Sequence, residues 1–107
     1  MKNLINGLSK LIEILELDPS CQWISTFRYS LTLASSLVGR NYEKDELSNL
    51  SSSITYVYSG MGSFNDYWPG TYNSRTGRYN QIPGTEDFEE VKTEVFELAI
   101  RLRTDIL

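Results

Sequence analysis

The chain has no histidine, a single cysteine and no long apolar run. Without histidine it lacks the commonest general base near neutral pH and the commonest neutral metal ligand. One cysteine, Cys21, excludes an internal disulfide and a cysteine-rich zinc site. No segment approaches the roughly 18 consecutive apolar residues of a membrane span, so no membrane partner is expected. Basic residues are also short, 10 against 14 acidic, for a net charge of -4. A nucleic-acid partner would require the opposite balance, because Lys and Arg must displace counterions from phosphates. The opening residues, MKNLINGLSKLIEILELD, do not form a continuous hydrophobic region, since Asn6, Ser9, Lys10, Glu13 and Glu16 interrupt it. The expected location is cytoplasmic.

What remains is helical periodicity over 107 residues, the size of one domain. Leu4, Leu8, Leu11 and Leu15, with Ile5 and Ile12 alongside, predict an amphipathic helix over 2–17. Gly7 inside it suggests a closely approaching neighbour. Asp18 and Pro19 then read as cap and first turn of a second helix over about 19–38. Its buried face would hold Trp23, Phe27, Leu31, Ala34 and Val38, widened by Ile24 and Leu37. Gly39 supplies a left-handed end. Cys21 near that helix start reads either as a stabilised thiolate or as a small half-buried residue.

Asn41 is the expected cap of a third helix over about 42–58, with Leu47, Leu50, Ile54 and Val57 facing the core. Ser51-Ser52-Ser53 reads as a close helix contact or as a source of a nucleophile. No nucleophile elbow or histidine base accompanies it. A fourth helix is expected after Gly84, capped by Thr85, with Phe88, Val91, Val95, Leu98 and Leu102 inward and Phe96, Ala99 and Ile106 adjoining. Seven of the 14 acidic residues (Glu86, Asp87, Glu89, Glu90, Glu94, Glu97 and Asp105) fall on or beside it, making it the most acidic face. Short links leave consecutive helices side by side. The predicted fold is therefore all-α, an antiparallel four-helix bundle in a single domain, 1–107, with a long irregular loop between helices three and four.

That loop, GMGSFNDYWPGTYNSRTGRYNQIPG over 60–84, holds five of the seven glycines and two of the three prolines, so neither helix nor strand periodicity survives through it. It is nevertheless rich in aromatics, unlike a disordered linker. In its first part Gly60, Met61, Gly62, Ser63, Phe64, Asn65 and Asp66 read in two ways. They form a helix end followed by a self-capped turn with Met61 and Phe64 in the core, or an anion nest with Asn65 and Asp66 as polar contacts. The pattern is not a phosphate loop. Asp66 could serve as a base or metal ligand only with partners from helix four, Glu89, Glu90 and Glu94 being the candidates, and the Glu-x-x-His of a di-iron bundle is missing, so neither metal nor cofactor is expected. In its second part Tyr72 and Tyr79 flank a turn with Thr76-Gly77 at the tip, the pattern of a small β-hairpin. Tyr67, Trp68, Tyr72, Arg75, Arg78 and Tyr79 are the residue types enriched at interface hot spots. They are candidate contacts or, for the aromatics, a roof over the bundle.

Through Ser59-Gly60-Met61-Gly62-Ser63-Phe64-Asn65-Asp66 the chain resembles a family of small bacterial proteins of unknown function. Members carry a Gly-Met-Gly-Ser-aromatic/aliphatic-Asn-Asp block between helices and look like immunity partners of bacterial toxins. The resemblance implies a non-enzymatic immunity protein that occludes a cognate toxin, and it carries over no catalytic residue. The acidic fourth helix would steer a basic toxin. Two alternatives stand beside this expectation: a small enzyme or ligand-binding domain using Gly60–Asp66, and a subunit whose loop completes a homo-oligomer.

Overall fold

A computed structural model describes residues 1–59 and 62–104. The chain is mostly helical, with a small two-stranded antiparallel sheet, and is compatible with the helical-bundle class. Four α-helices, α1 (Lys2–Leu15), α2 (Ile24–Leu37), α3 (Lys44–Thr55) and α4 (Phe88–Thr104), enclose one core, with α1 against α2 and α4, and α3 against α2 and α4. Short 3₁₀ turns, Tyr56–Tyr58 and Phe64–Asp66, lead to strands β1 (Gly70–Asn73) and β2 (Arg78–Gln81).

In α1 the leucine stripe is buried as the spacing predicts, joined by Ile12 and Ile14. A Cβ on Gly7 would lie 3.2 Å from Val95 Cγ2, so the missing side chain lets α4 close onto α1. The second helix begins five residues later than its predicted start at 19. Asp18 Oδ1 accepts the Ser20 N–H at 3.0 Å and the Ser20 hydroxyl at 2.7 Å, closing a local turn instead of capping a helix. Pro19 lies in that turn, and Trp23 occupies the N-cap without a side-chain bond. At the far end the helix stops at Leu37, which is buried as expected, and Val38 is extended and exposed, against expectation.

The third helix begins at Lys44, later than the Asn41 cap predicts. The Glu46 carboxylate accepts the Glu43 N–H at 3.1 Å and pairs with Arg40, whose guanidinium also donates to the Asn41 carbonyl. A side chain three residues into the helix thus fixes its start. The serine run is a contact: buried Ser51 donates to the Ala99 carbonyl at 2.7 Å, and Ser53 meets Ser30 at 2.9 Å. The fourth helix begins at Phe88. Thr85 is buried with its hydroxyl donating backward to the Ile82 carbonyl at 2.6 Å, so it closes the preceding turn and does not cap α4. Phe88, Val91, Val95 and Ala99 are buried, while Leu98 and Leu102 are only partly so. Ile106 lies outside the described residues.

The aromatic centre of the core comes partly from the loop. Phe64, fully buried, has its ring centroid 4.8 Å from Phe27, 5.2 Å from Tyr58 and 5.7 Å from Phe88, each roughly edge-on. Such pairs add to burial because ring edges and faces carry opposite partial charge.

Candidate functional site

The long loop divides at Pro69 into two parts with opposite environments. Gly60 and Met61 lie outside the described residues, and the first part begins at Gly62, whose φ of +73° favours glycine. The Gly62 N–H donates to Asp66 Oδ2 at 2.7 Å, the Asn65 N–H to Ser63 Oγ at 3.3 Å, and Asn65 Nδ2 to the Tyr58 carbonyl at 2.6 Å. This is a self-capped turn carrying Phe64 into the core. An external anion would find the Gly62 N–H already bonded to a carboxylate of the same turn.

Two charged residues whose burial was not expected lie beneath it. Lys92 is buried, its ammonium donating to the Asn65 carbonyl at 3.4 Å, 3.9 Å from Glu89, and 5.7 and 5.6 Å from the centroids of Phe64 and Phe88. Aromatic faces partly replace the water such a cation loses. The signal was its position: Lys92 follows Phe88 by one helical turn on the inward stripe. Asp18 is also buried and accepts the Tyr67 hydroxyl at 2.6 Å. Burial alone would raise its pKa, but the bonds from Tyr67 and Ser20 outweigh that and lower it below 3.8. Burial, reinforced by Asp18, pushes the Tyr67 hydroxyl well above the ordinary tyrosine range, and burial does the same to Tyr58. The Cys21 thiol is raised by burial, which disfavours the reactive thiolate. No buried side-chain nitrogen or oxygen among the described residues lacks a partner. Nor do those residues include a cluster of three or more His, Cys, Asp or Glu able to hold a metal.

The second part is the β1–β2 ribbon, in register Gly70–Gln81, Thr71–Asn80, Tyr72–Tyr79 and Asn73–Arg78, with Gly77 at φ +68° closing the turn. The Ile82 N–H to Pro69 carbonyl bond, 3.1 Å, makes that flanking pair a hydrogen-bonded one. By alternation Tyr72 and Tyr79 form a non-bonded pair, whose side chains approach closely and whose backbone N–H and C=O groups point outward from the ribbon edges. Their ring centroids are 5.3 Å apart, yet Tyr72 is 59% and Tyr79 68% exposed. The Trp68 ring covers Gly70, where a Cβ would come within 2.3 Å of Trp68 Cζ3, so only glycine fits beneath it. Arg75 and Arg78 are exposed and make no ion pair among the described residues.

The structure therefore separates the six candidate contacts. Tyr67 is held inward, its ring stacked on Phe64 and its hydroxyl on Asp18. Tyr72, Arg75, Arg78 and Tyr79 are all exposed on the ribbon, with Arg78 on the face opposite the paired tyrosines and the partly exposed Trp68 at the ribbon's base. Elsewhere a shallow groove of about 760 Å³ lies between the start of α1 and the α2–α3 link, floored by Ile5, Leu37 and Val38. A smaller one of about 280 Å³ lies beside the loop's first turn, between Gln22, Trp23, Gly62 and Asp66. No helix among the described residues is long and apolar enough to cross a membrane. No protein-family model, curated protein or solved structure matches the chain.

Proposed function

We propose that this chain is a non-enzymatic binding protein that recognises a protein partner through the β1–β2 ribbon, displayed on an antiparallel four-helix bundle. The observation that carries the proposal is the ribbon's inverted chemistry: two tyrosines and two arginines face solvent on a two-stranded sheet whose second strand is exposed at every residue. An isolated pair of strands is marginal in water, so exposed Tyr and Arg there are better explained by recognition than by packing. The bundle geometry is supported by α3 meeting α4 in opposite directions, Ser51 beside Ala99 and Tyr58 beside Lys92.

In its more specific form the protein is a cytoplasmic bacterial immunity protein that occludes a cognate toxin. The resemblance of Ser59–Asp66 supports that form, and the acidic α4 suits steering of a basic partner. A ligand-binding or catalytic role for Gly60–Asp66 has less support, because Ser63, Asn65 and Asp66 each make hydrogen bonds that hold the turn.

The test pairs stability with affinity. Tyr72→Ala and Arg75→Ala are expected to leave the melting temperature near wild type while weakening binding to the protein that co-purifies from the native host by about 1–4 kcal/mol. Wild-type affinity in both variants, or loss of folding in both, would overturn the proposal.

A further inference from the structure

Strand alternation sorts the ribbon's side chains onto two faces. Gly70, Tyr72, Tyr79 and Gln81 share one, and Thr71, Asn73, Arg78 and Asn80 the other. A Cβ on Gly70 would meet the Trp68 ring at 2.3 and 2.6 Å, so that ring lies on the tyrosine face. This face therefore carries three exposed rings, Trp68 over Gly70 and the Tyr72–Tyr79 pair about 7 Å further along the strand. No charged side chain of the strands shares it, since Arg78 is on the opposite face and Arg75 is in the turn. The Gln81 amide is occupied, donating to the Thr85 carbonyl at 2.7 Å. The Trp68 indole N–H and the two tyrosine hydroxyls, by contrast, make no hydrogen bond among the described residues. An uncharged aromatic face with free donors is complementary to an apolar, uncharged ligand rich in acceptors.

We infer that this face takes a proline-rich segment of the protein partner, in the extended polyproline II helix. This rests on the ribbon being a recognition element and names what it recognises. Proline has a carbonyl and no N–H, and the polyproline II helix makes no internal hydrogen bonds, so its carbonyls need donors from elsewhere. The Trp68 N–H and the tyrosine hydroxyls supply them, while the rings cover the apolar pyrrolidines, as aromatic-lined grooves do for such segments. The helix rises about 3.1 Å per residue, so rings about 7 Å apart meet prolines about two residues apart. Because the segment is pre-formed, little ordering entropy opposes its binding to so small a surface. Single-stranded nucleic acid also stacks on aromatic rings, but it needs a cationic groove, which an uncharged face in a chain of net charge -4 does not offer.

Isothermal titration calorimetry of the full chain with a decaproline peptide, blocked at both ends, tests this. The wild type is expected to bind it saturably, and a blocked Gly-Ser peptide of the same length not at all. Tyr79→Ala should weaken decaproline binding by roughly tenfold or more, as loss of a hot-spot ring does. Arg78→Ala, on the opposite face, should leave it within about twofold of wild type. Circular dichroism identifies any variant that fails to fold, in which case Tyr79→Phe, which removes only the hydroxyl donor, replaces Tyr79→Ala and should still weaken binding. The inference is overturned if decaproline does not bind, if the Gly-Ser peptide binds equally, or if Arg78→Ala costs as much as the tyrosine change. Binding of cellohexaose in place of decaproline overturns it too, and makes the ligand a sugar. If decaproline fails while Tyr72→Ala still weakens the co-purifying partner, the ribbon remains a recognition element and only its proline-rich ligand is excluded.

Discussion

Residues 62–67 and 70–81 are neighbours in the chain and similar in composition, each mixing glycine, aromatics and small polar residues. In the first, Phe64 is fully buried and each polar side chain hydrogen-bonds within the protein. In the second, both tyrosines face water and both arginines lack an ion-pair partner among the described residues. The difference lies in reach. Asn65 and Tyr67 bond to Tyr58 and Asp18 in other parts of the chain, tying their segment to the helices, whereas the ribbon's rings pair across its own two strands. Aromatic content marks a segment as ordered, but hydrogen-bond partners decide whether it packs or projects.

Mutations can break that comparison. The largest effect is expected from Phe64→Ala, about 3–5 kcal/mol of lost stability in urea denaturation, since it empties the middle of the core. An unchanged midpoint would mean that the first turn does not close the bundle.

Next comes Tyr67→Phe, which leaves buried Asp18 short of a donor and should cost about 1–3 kcal/mol. It also has a pH signature. The folded state holds the Asp18 carboxyl below its ordinary value of 3.8, so the ionised form favours folding. That stability is fully present above the ordinary value and is lost as pH falls below it, through the folded-state value. Tyr67→Phe should therefore flatten the acid end of the stability–pH curve, and a curve parallel to wild type would argue against the Tyr67–Asp18 bond.

Gly62→Ala should cost about 1–2 kcal/mol, because an L side chain is strained at a left-handed backbone position even with open space around it. A thermal melt would detect this. The smallest stability effects belong to Tyr72→Ala and Arg75→Ala, each within about 0.5 kcal/mol. A loss approaching that of Phe64→Ala would show that the ribbon is part of the roof and erase the contrast between the two segments.

Much of the helical scaffold was legible, because the stripes Leu4–Leu8–Leu11–Leu15 and Leu50–Ile54–Val57 record which faces are buried. Helix starts were misread where a capping side chain had a better partner. Asp18 bonds Ser20 and Tyr67, Thr85 bonds Ile82, and Asn41 is displaced by the Glu46 carboxylate at Glu43. Local capping rules cannot see a partner 49 residues away, which is how far Tyr67 lies from Asp18. Lys92 was missed for a related reason: the sequence shows a cation in an acidic helix, not the two rings and the loop carbonyl that receive it. The candidate contacts were named as a group because their shared composition is visible in sequence, whereas the direction of Tyr67 depends on tertiary packing.

The two tryptophans lie one on each side of this divide. Trp23 packs edge-on against Phe64, 6.1 Å between centroids, while Trp68 covers Gly70 at the base of the ribbon. Intrinsic fluorescence therefore carries two separable optical reporters, one of the helical core and one of the projecting strands. A Trp68→Phe chain would emit only from the core, and a Trp23→Phe chain only from the ribbon. Quenching by a soluble solute would then follow the opening of each region within a single molecule, with no label attached.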